Sequence, residues 1–195
     1  MPVLGRQMRA ALAFPGTLEP ADATLSRARE GDLGAFEALV RRHERMVFSL
    51  ALHVLHDQAA AEDVAQEVFL QLYRHLEQIE SDAHLTFWLR RVAGHRAIDV
   101  TRREGSRRYV GLDQAPVLSL VRRDRDPFLE RGIRQLVKQL PARARLVMAL
   151  RYQEDLEPGE IAALLGVPLN TVKSQLKRAL AVLRARAAQL GGAGR

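Results

Sequence analysis

Lys173, Ser174, Lys177 and Arg178 fall at helical spacing within a run that begins at Leu169, so on a helix they share one face. That face offers cations and a hydroxyl, groups that suit phosphate oxygens and base edges. Val172, Leu176, Ala179, Leu180 and Leu183 take the complementary apolar face and are expected to turn toward the protein. Just upstream, Pro158 suits the first turn of a shorter apolar helix, Gly166 can take the left-handed conformation that ends it, and Pro168 blocks its continuation. Asn170 is suited to cap the helix that follows. The segment is therefore a predicted helix-turn-helix, a shape that fits the DNA major groove. No Asp or Glu follows Glu160, so nothing in this segment offsets attraction to phosphate. The plainer reading is a solvated basic face on an ordinary terminal helix.

A second cationic strip lies far from the first. Arg90, Arg91, Arg96, Arg102, Arg103, Arg107 and Arg108 are opposed only by Asp99 and Glu104, and Phe87 and Trp88 precede them. Basic surfaces beside aromatic rings hold unpaired bases by stacking, at about 1–3 kcal/mol per base. Trp88 falls on the apolar stripe of Leu85, Leu89 and Val92, which favours a core position for it, whereas Phe87 lies off that stripe and suits either role. A third group has the opposite sign: Glu62, Asp63, Gln66 and Glu67, with Asp63 and Glu67 one turn apart. Acids there suit the positive end of a helix, and they can also form a docking surface for a basic partner. His53 and His56, with Asp57, Glu62 and Asp63 nearby, make a helical metal site conceivable, but the paired ligand repeats of such sites are missing. Phosphate-binding loops and nucleophile elbows are missing too. No metal, cofactor or catalytic residue is expected, and the chain reads as a non-enzyme.

The totals fit a polyanion-binding protein. A formal charge of +7 over 195 residues points to nucleic acid or an anionic membrane surface, and the motif favours nucleic acid. There are no cysteines, which excludes disulfides, thiol catalysis and cysteine-ligated metal centres. Arg6 and Arg9 precede the apolar run Ala10 to Phe14, but Pro15 cuts it short of a secretory signal. With no apolar stretch of about 20 residues, no membrane insertion is expected, and a cytoplasmic location follows.

The elements that must position these groups are helical throughout. Residues 1–24, rich in Pro, Gly and Ala, read as a mobile tail. From Leu25, one stripe runs through Phe36, Leu39, Val40, Val47, Leu50, Ala51 and Val54. After a break near His56-Asp57, a second runs through Val64, Val68, Leu72 and Leu76, and a third begins at Leu85. Together they predict a helical domain over 25–104. Residues 105–127 read as a linker that could span on the order of 75–80 Å when extended, about two turns of DNA at roughly 34 Å each. A second domain over 128–188 would contain a helix stopped at Pro141, another through Leu146, Ala149 and Leu150, and the helix-turn-helix, with a mobile tail at 189–195. The expected fold class is all-α: two small helical domains joined by a flexible linker.

This order of parts resembles bacterial sigma factors of the extracytoplasmic-function group, the two-domain specificity subunits of RNA polymerase. The resemblance covers about Ala35 to Ala187. It rests on Glu62-Asp63-Val64-Ala65-Gln66-Glu67-Val68-Phe69, on Phe87-Trp88-Leu89-Arg90-Arg91-Val92-Ala93 with Ala97-Ile98-Asp99, on Leu140-Pro141-Ala142-Arg143, and on Glu160-Ile161-Ala162 through Val172-Lys173-Ser174. It implies that Asp63, Gln66 and Glu67 bind core RNA polymerase. It implies that Ser81, Asp82, Thr86, Phe87, Trp88, Arg91, His95, Arg96, Asp99, Arg102 and Arg103 melt the −10 promoter element and hold a flipped base. It also implies that Thr171, Lys173, Ser174, Lys177 and Arg178 read the −35 element, and that an anti-sigma protein is a further partner. His95 departs from the family pattern Ala-x-Asn-x-Ala-Ile-Asp, placing an imidazole where an amide is common. The competing reading is a free-standing helix-turn-helix regulator with an N-terminal sensing or dimerisation domain.

Overall fold

The computed structural model describes residues 21–107 and 135–192. The expected N-terminal tail before Ala21, most of the expected linker, the start of the second helical group and residues 193–195 lie outside them.

The first helix, α1 (Ala21–Arg29), starts earlier than the apolar pattern predicts. Thr24, Leu25 and Ala28 are buried on its inner side, and Asp22 accepts the backbone N–H of Asp82 at 3.1 Å, a contact 60 residues away that no local pattern reveals. Asp32 then caps α2 (Leu33–Leu55) by accepting the Ala35 N–H at 3.0 Å while pairing with Arg27 at 2.6 Å. The N-cap bond, with Arg27 beside it, holds the Asp32 carboxyl below the usual carboxylate range.

Along α2, Ala35, Leu39, His43, Val47, Leu50, Ala51 and Val54 are buried at helical spacing. The helix stops at His56, whose left-handed φ of 57° lets its N–H reach the Leu52 carbonyl at 2.8 Å. Asp57 caps α3 (Gln58–His75), which buries Ala61, Val64, Ala65, Val68, Phe69 and Leu72. A tight turn at Leu76–Gln78 and buried Ile79 lead into α4 (Asp82–Arg107), where Leu85, Leu89, Ala93 and Ala97 face inward one turn apart. Helix α4 runs past the predicted domain end, to Arg107. Helices α2, α3 and α4 pack on one another, and α1 lies against α2.

In the second group, residues 135–138 are helical and Leu136 and Leu140 are buried before Pro141. Then follow α5 (Ala142–Tyr152), α6 (Pro158–Leu165) and α7 (Leu169–Gly192). Each gives a stripe to a shared interior: Leu146, Val147, Ala149 and Leu150 from α5, Ile161, Ala162 and Leu164 from α6, Val172 and Ala179 from α7. The two groups also meet, because α2 packs along α5 and α4 touches α5 and α6, so one apolar core continues from Leu25 to Val172. Among the described residues there is no strand, and no helix is long and apolar enough to cross a membrane.

Candidate nucleic-acid interface

Arg151, at the end of α5, reaches the Leu156 carbonyl at 3.1 Å and the Glu157 carboxylate at 2.8 Å, which fixes where α6 begins. Glu160 closes the helix start by accepting the Glu157 N–H at 2.7 Å. At the other end Gly166 has φ 64°, its N–H bonds back to the Ala162 and Ala163 carbonyls, and the Val167 N–H also bonds to Ala162. The turn therefore forms where Gly166 and Pro168 predict it. Helix α7, however, starts at Leu169, so Asn170 is an exposed first-turn residue rather than its cap. The Pro168 carbonyl takes the Thr171 N–H at 2.9 Å and winds the helix two residues early.

On α7, Val172 and Ala179 are buried, Leu176 packs against the core, and Lys173, Lys177 and Arg178 are exposed together. Thr171 and Ser174 are half-buried, and the Ser174 hydroxyl donates to the Thr171 carbonyl at 2.9 Å. Over residues 171–178 the exposed face is thus three cations, with a hydroxyl already engaged by its own helix, and exposed Arg184 continues it two turns further on.

The residues predicted on α4 divide into two sets. One turns into the protein. Ser81 is a helix cap, its hydroxyl accepting the His84 N–H at 3.2 Å. Asp82 pairs with Arg42 at 3.5 Å and lies 3.8 Å from His43. Trp88 packs on the core with its ring 6.2 Å from that of His75, the position its place on the apolar stripe favours. Thr86 is half-buried. Arg96 crosses to α3, where it meets Glu67 at 3.1 Å and, with the Gln71 amide oriented to accept, the Gln71 oxygen.

The other set follows one flank, with Phe87 (36% exposed), Arg91, His95, Arg102 and Arg103 exposed and Asp99 half-buried among them. Asp99 and Arg102 pair at 3.2 Å. His95, Asp99 and Arg102 line a cleft of about 300 Å³ whose opposite wall is Arg143 and Gln175, over an apolar floor of Ile98, Leu146, Leu165 and Val167. Partial burial, then Arg91 and Arg143, push the His95 imidazole below its ordinary pKa against an opposing pull from Asp99, so it is neutral at pH 7. Arg143 and Gln175 were missed as site residues by sequence reasoning, because only the packing of α5 and α7 against α4 brings them there. Arg90, counted in the cationic strip, instead pairs with Glu154 at 2.8 Å.

On α3, Asp63, Gln66 and Glu67 are exposed along one side. His53 Nδ1 is satisfied by the Ser49 carbonyl at 2.6 Å, and among the described residues no three metal-ligating side chains converge.

The sigma-70 region 2 family model matches residues 39–107 and the sigma-70 region 4 model matches residues 130–183, together more than half of the chain. The RNA polymerase sigma-H factor of Pseudomonas aeruginosa is 29% identical over 84% of this chain and 91% of its own length. The ECF RNA polymerase sigma factor SigW of Bacillus subtilis is 26% identical over 82% of this chain and 92% of its own. The chain belongs to the extracytoplasmic-function group of the sigma-70 family. It is a transcription initiation factor, and the free-standing regulator is not favoured. Among solved structures, the sigma factor RpoE of Bartonella quintana, crystallised with the anti-sigma factor NepR, is similar in fold, with a TM-score of 0.65 over 77% of this chain and 94% of that one at 18% identity.

Proposed function

We propose that this sigma factor works through three surfaces. The acidic side of α3, Asp63, Gln66 and Glu67, docks core RNA polymerase. The flank of α4 carrying Phe87, Arg91, His95, Asp99, Arg102 and Arg103 holds the melted −10 element, with Ser81, Asp82, Thr86, Trp88 and Arg96 shaping that helix from behind. Lys173, Lys177 and Arg178, with Thr171 and Ser174 beneath them, read the −35 element in the major groove. The division of labour assigns residues 25–104 to polymerase and the −10 element, 128–188 to the −35 element and 105–127 to the connection between them. By analogy with the RpoE and NepR pair, an anti-sigma protein is the expected antagonist.

The observation that carries this reading is the separation of charge by helix. The exposed face of α7 is cationic with no acid after Glu160, while the exposed side of α3 is acidic. A polyanion and a basic protein surface can therefore bind at once without competing. On α4, exposed Phe87 beside Arg91 gives a stacking surface next to a phosphate contact, and strand opening without nucleotide hydrolysis needs such single-strand binding to offset lost stacking. His95, neutral and offering one donor and one acceptor, sets the base preference of that pocket. In vitro transcription from a genomic DNA library, with core polymerase alone and with this protein added, tests the proposal. New start sites sharing two sequence elements support it, and an unchanged transcript set refutes it.

A further inference from the structure

We propose that the Arg90–Glu154 ion pair is a clasp that holds the helix-turn-helix against α4, so that the free protein walls in the His95, Asp99 and Arg102 part of its own strand-binding flank until the pair is broken. The inference rests on the promoter reading above, which requires α4 and α7 to act on elements about two turns of DNA apart, each roughly 34 Å. Yet Gln175, on α7, lines the same cleft as His95 and Asp99, on α4. A chain in this arrangement cannot place both helices on one two-part promoter. A strand lying along α4 would also have to enter a cleft of about 300 Å³ walled by Arg143 and Gln175.

Three features hold the two walls of the cleft together. Arg90 donates from Nε at 2.9 Å and from Nη2 at 2.8 Å to a single Glu154 oxygen, across 64 residues of sequence, and the two side chains are only 22% and 12% exposed. The turn presenting Glu154 is fixed by Asp155 in a left-handed conformation (φ 52°), which Asp adopts more readily than most residues. Beside the pair, Gly94 lets Leu146 seat closely on α4, where a Cβ would lie 3.1 Å from both Leu146 methyl carbons. Removing one member of a poorly solvated ion pair leaves an uncompensated charge, so the closed form should yield to single reversals and recover with a swap.

The absence of native cysteine allows donor and acceptor dyes at Gln78→Cys and Ala185→Cys, exposed positions in the two helical groups. In the full-length protein, Glu154→Arg and Arg90→Glu are each expected to lower energy transfer, and the double swap to restore it. Glu154→Arg is further expected to raise affinity for a short random-sequence single-stranded oligonucleotide about tenfold, the gain for a free chain that is open about one part in ten. Circular dichroism checks that helicity is unchanged. Wild-type energy transfer in both single variants, or loss in the singles without recovery in the swap, would overturn the clasp. Lower transfer without tighter oligonucleotide binding would overturn the walling-in of that part of the flank. The transfer measurement needs no polymerase, so a failure of promoter-directed transcription refutes the promoter reading while leaving the clasp to stand or fall on its own signal.

Discussion

Glu67 Oε1 lies 3.1 Å from Arg96 Nη1, so a carboxylate assigned to polymerase docking holds a guanidinium assigned to DNA. Both side chains are partly solvated, and an exposed pair of this kind contributes roughly 0–1 kcal/mol. Its consequence is mainly for experiment, because reversing Glu67 both removes a docking charge and sets like charges against each other beside α4. Asp63 stands one turn away and is exposed. Asp63→Arg is therefore expected to abolish co-purification with core polymerase while shifting the melting temperature by no more than about 2 °C. Glu67→Arg should show the same loss with a larger thermal cost. Pull-down and thermal melts on the same preparations check both, and retained association in Asp63→Arg would remove α3 from the interface.

Gly166 should be nearly irreplaceable for a backbone reason alone. Its φ of 64° is left-handed, and a Cβ built there meets nothing within 4 Å. Gly166→Ala thus isolates the conformational cost, about 1–2 kcal/mol, or roughly 2–4 °C of melting temperature per kcal/mol for a chain of this size. Gly166→Asn should lose less, since Asn tolerates this region. Equal melting of all three proteins would mean that the turn is not held in this conformation in solution.

Much of this arrangement was legible in the residues because it is local. The α6 start, the Gly166 turn, the inward stripe of α7 and the break at His56-Asp57 each depend on contacts within a few positions, and hydrophobic periodicity with cap chemistry reports those contacts. What escaped was non-local. The start of α1 depends on Asp22 meeting Asp82, the cleft on Arg143 and Gln175 arriving from other helices, and the fate of Arg90 on Glu154. Charge counting saw a uniform strip of arginines, whereas packing spends Arg90 and Arg96 on internal partners and leaves Arg91, Arg102 and Arg103 exposed. Asn170 failed as a cap for a smaller reason, a two-residue shift of the helix start in which the Pro168 carbonyl takes the Thr171 N–H.

Stability should fall in mild acid. His56 is pushed down to about 4, first by burial and then by the cations Arg145 and Lys138, with His53 adding to them, and its Nε2 has no hydrogen-bond partner among the described residues. A folded-state pKa below the unfolded value of 6.5 means that, as pH drops through 6.5, the unfolded chain takes up a proton that the folded chain refuses. Stability is then lost progressively between about pH 6.5 and pH 4. Burial lowers His43 and His95 as well, adding loss of the same sign, whereas the lowered Asp32 acts only below the ordinary carboxylate range. Discounted for partial exposure, the His56 share is about 1 kcal/mol from pH 7 to pH 5. Urea midpoints across this range should show the decline, and His56→Asn, which keeps a left-handed-tolerant residue without a titrating group, should flatten it. An identical slope in His56→Asn would assign the effect elsewhere.

The −35 assignment makes a quantitative demand on salt dependence. Lys173 and Lys177 are exposed one turn apart on α7, and each phosphate they neutralise releases condensed counterion. If both contact the backbone, Lys173→Ala and Lys177→Ala should each weaken holoenzyme binding to promoter DNA and reduce the slope of log affinity against log salt by about one. If either reads a guanine edge instead, its removal should cost about 1–3 kcal/mol of discrimination at one base pair. Ser174, whose hydroxyl is bound to Thr171 within its own helix, should matter less than either lysine. Filter binding of the holoenzyme across a salt series on wild-type and base-substituted promoters separates these outcomes. An unaltered slope and unaltered base preference in both lysine variants would move duplex recognition off residues 173–178 of α7, because the one exposed cation left there, Arg178, could not by itself account for specific binding.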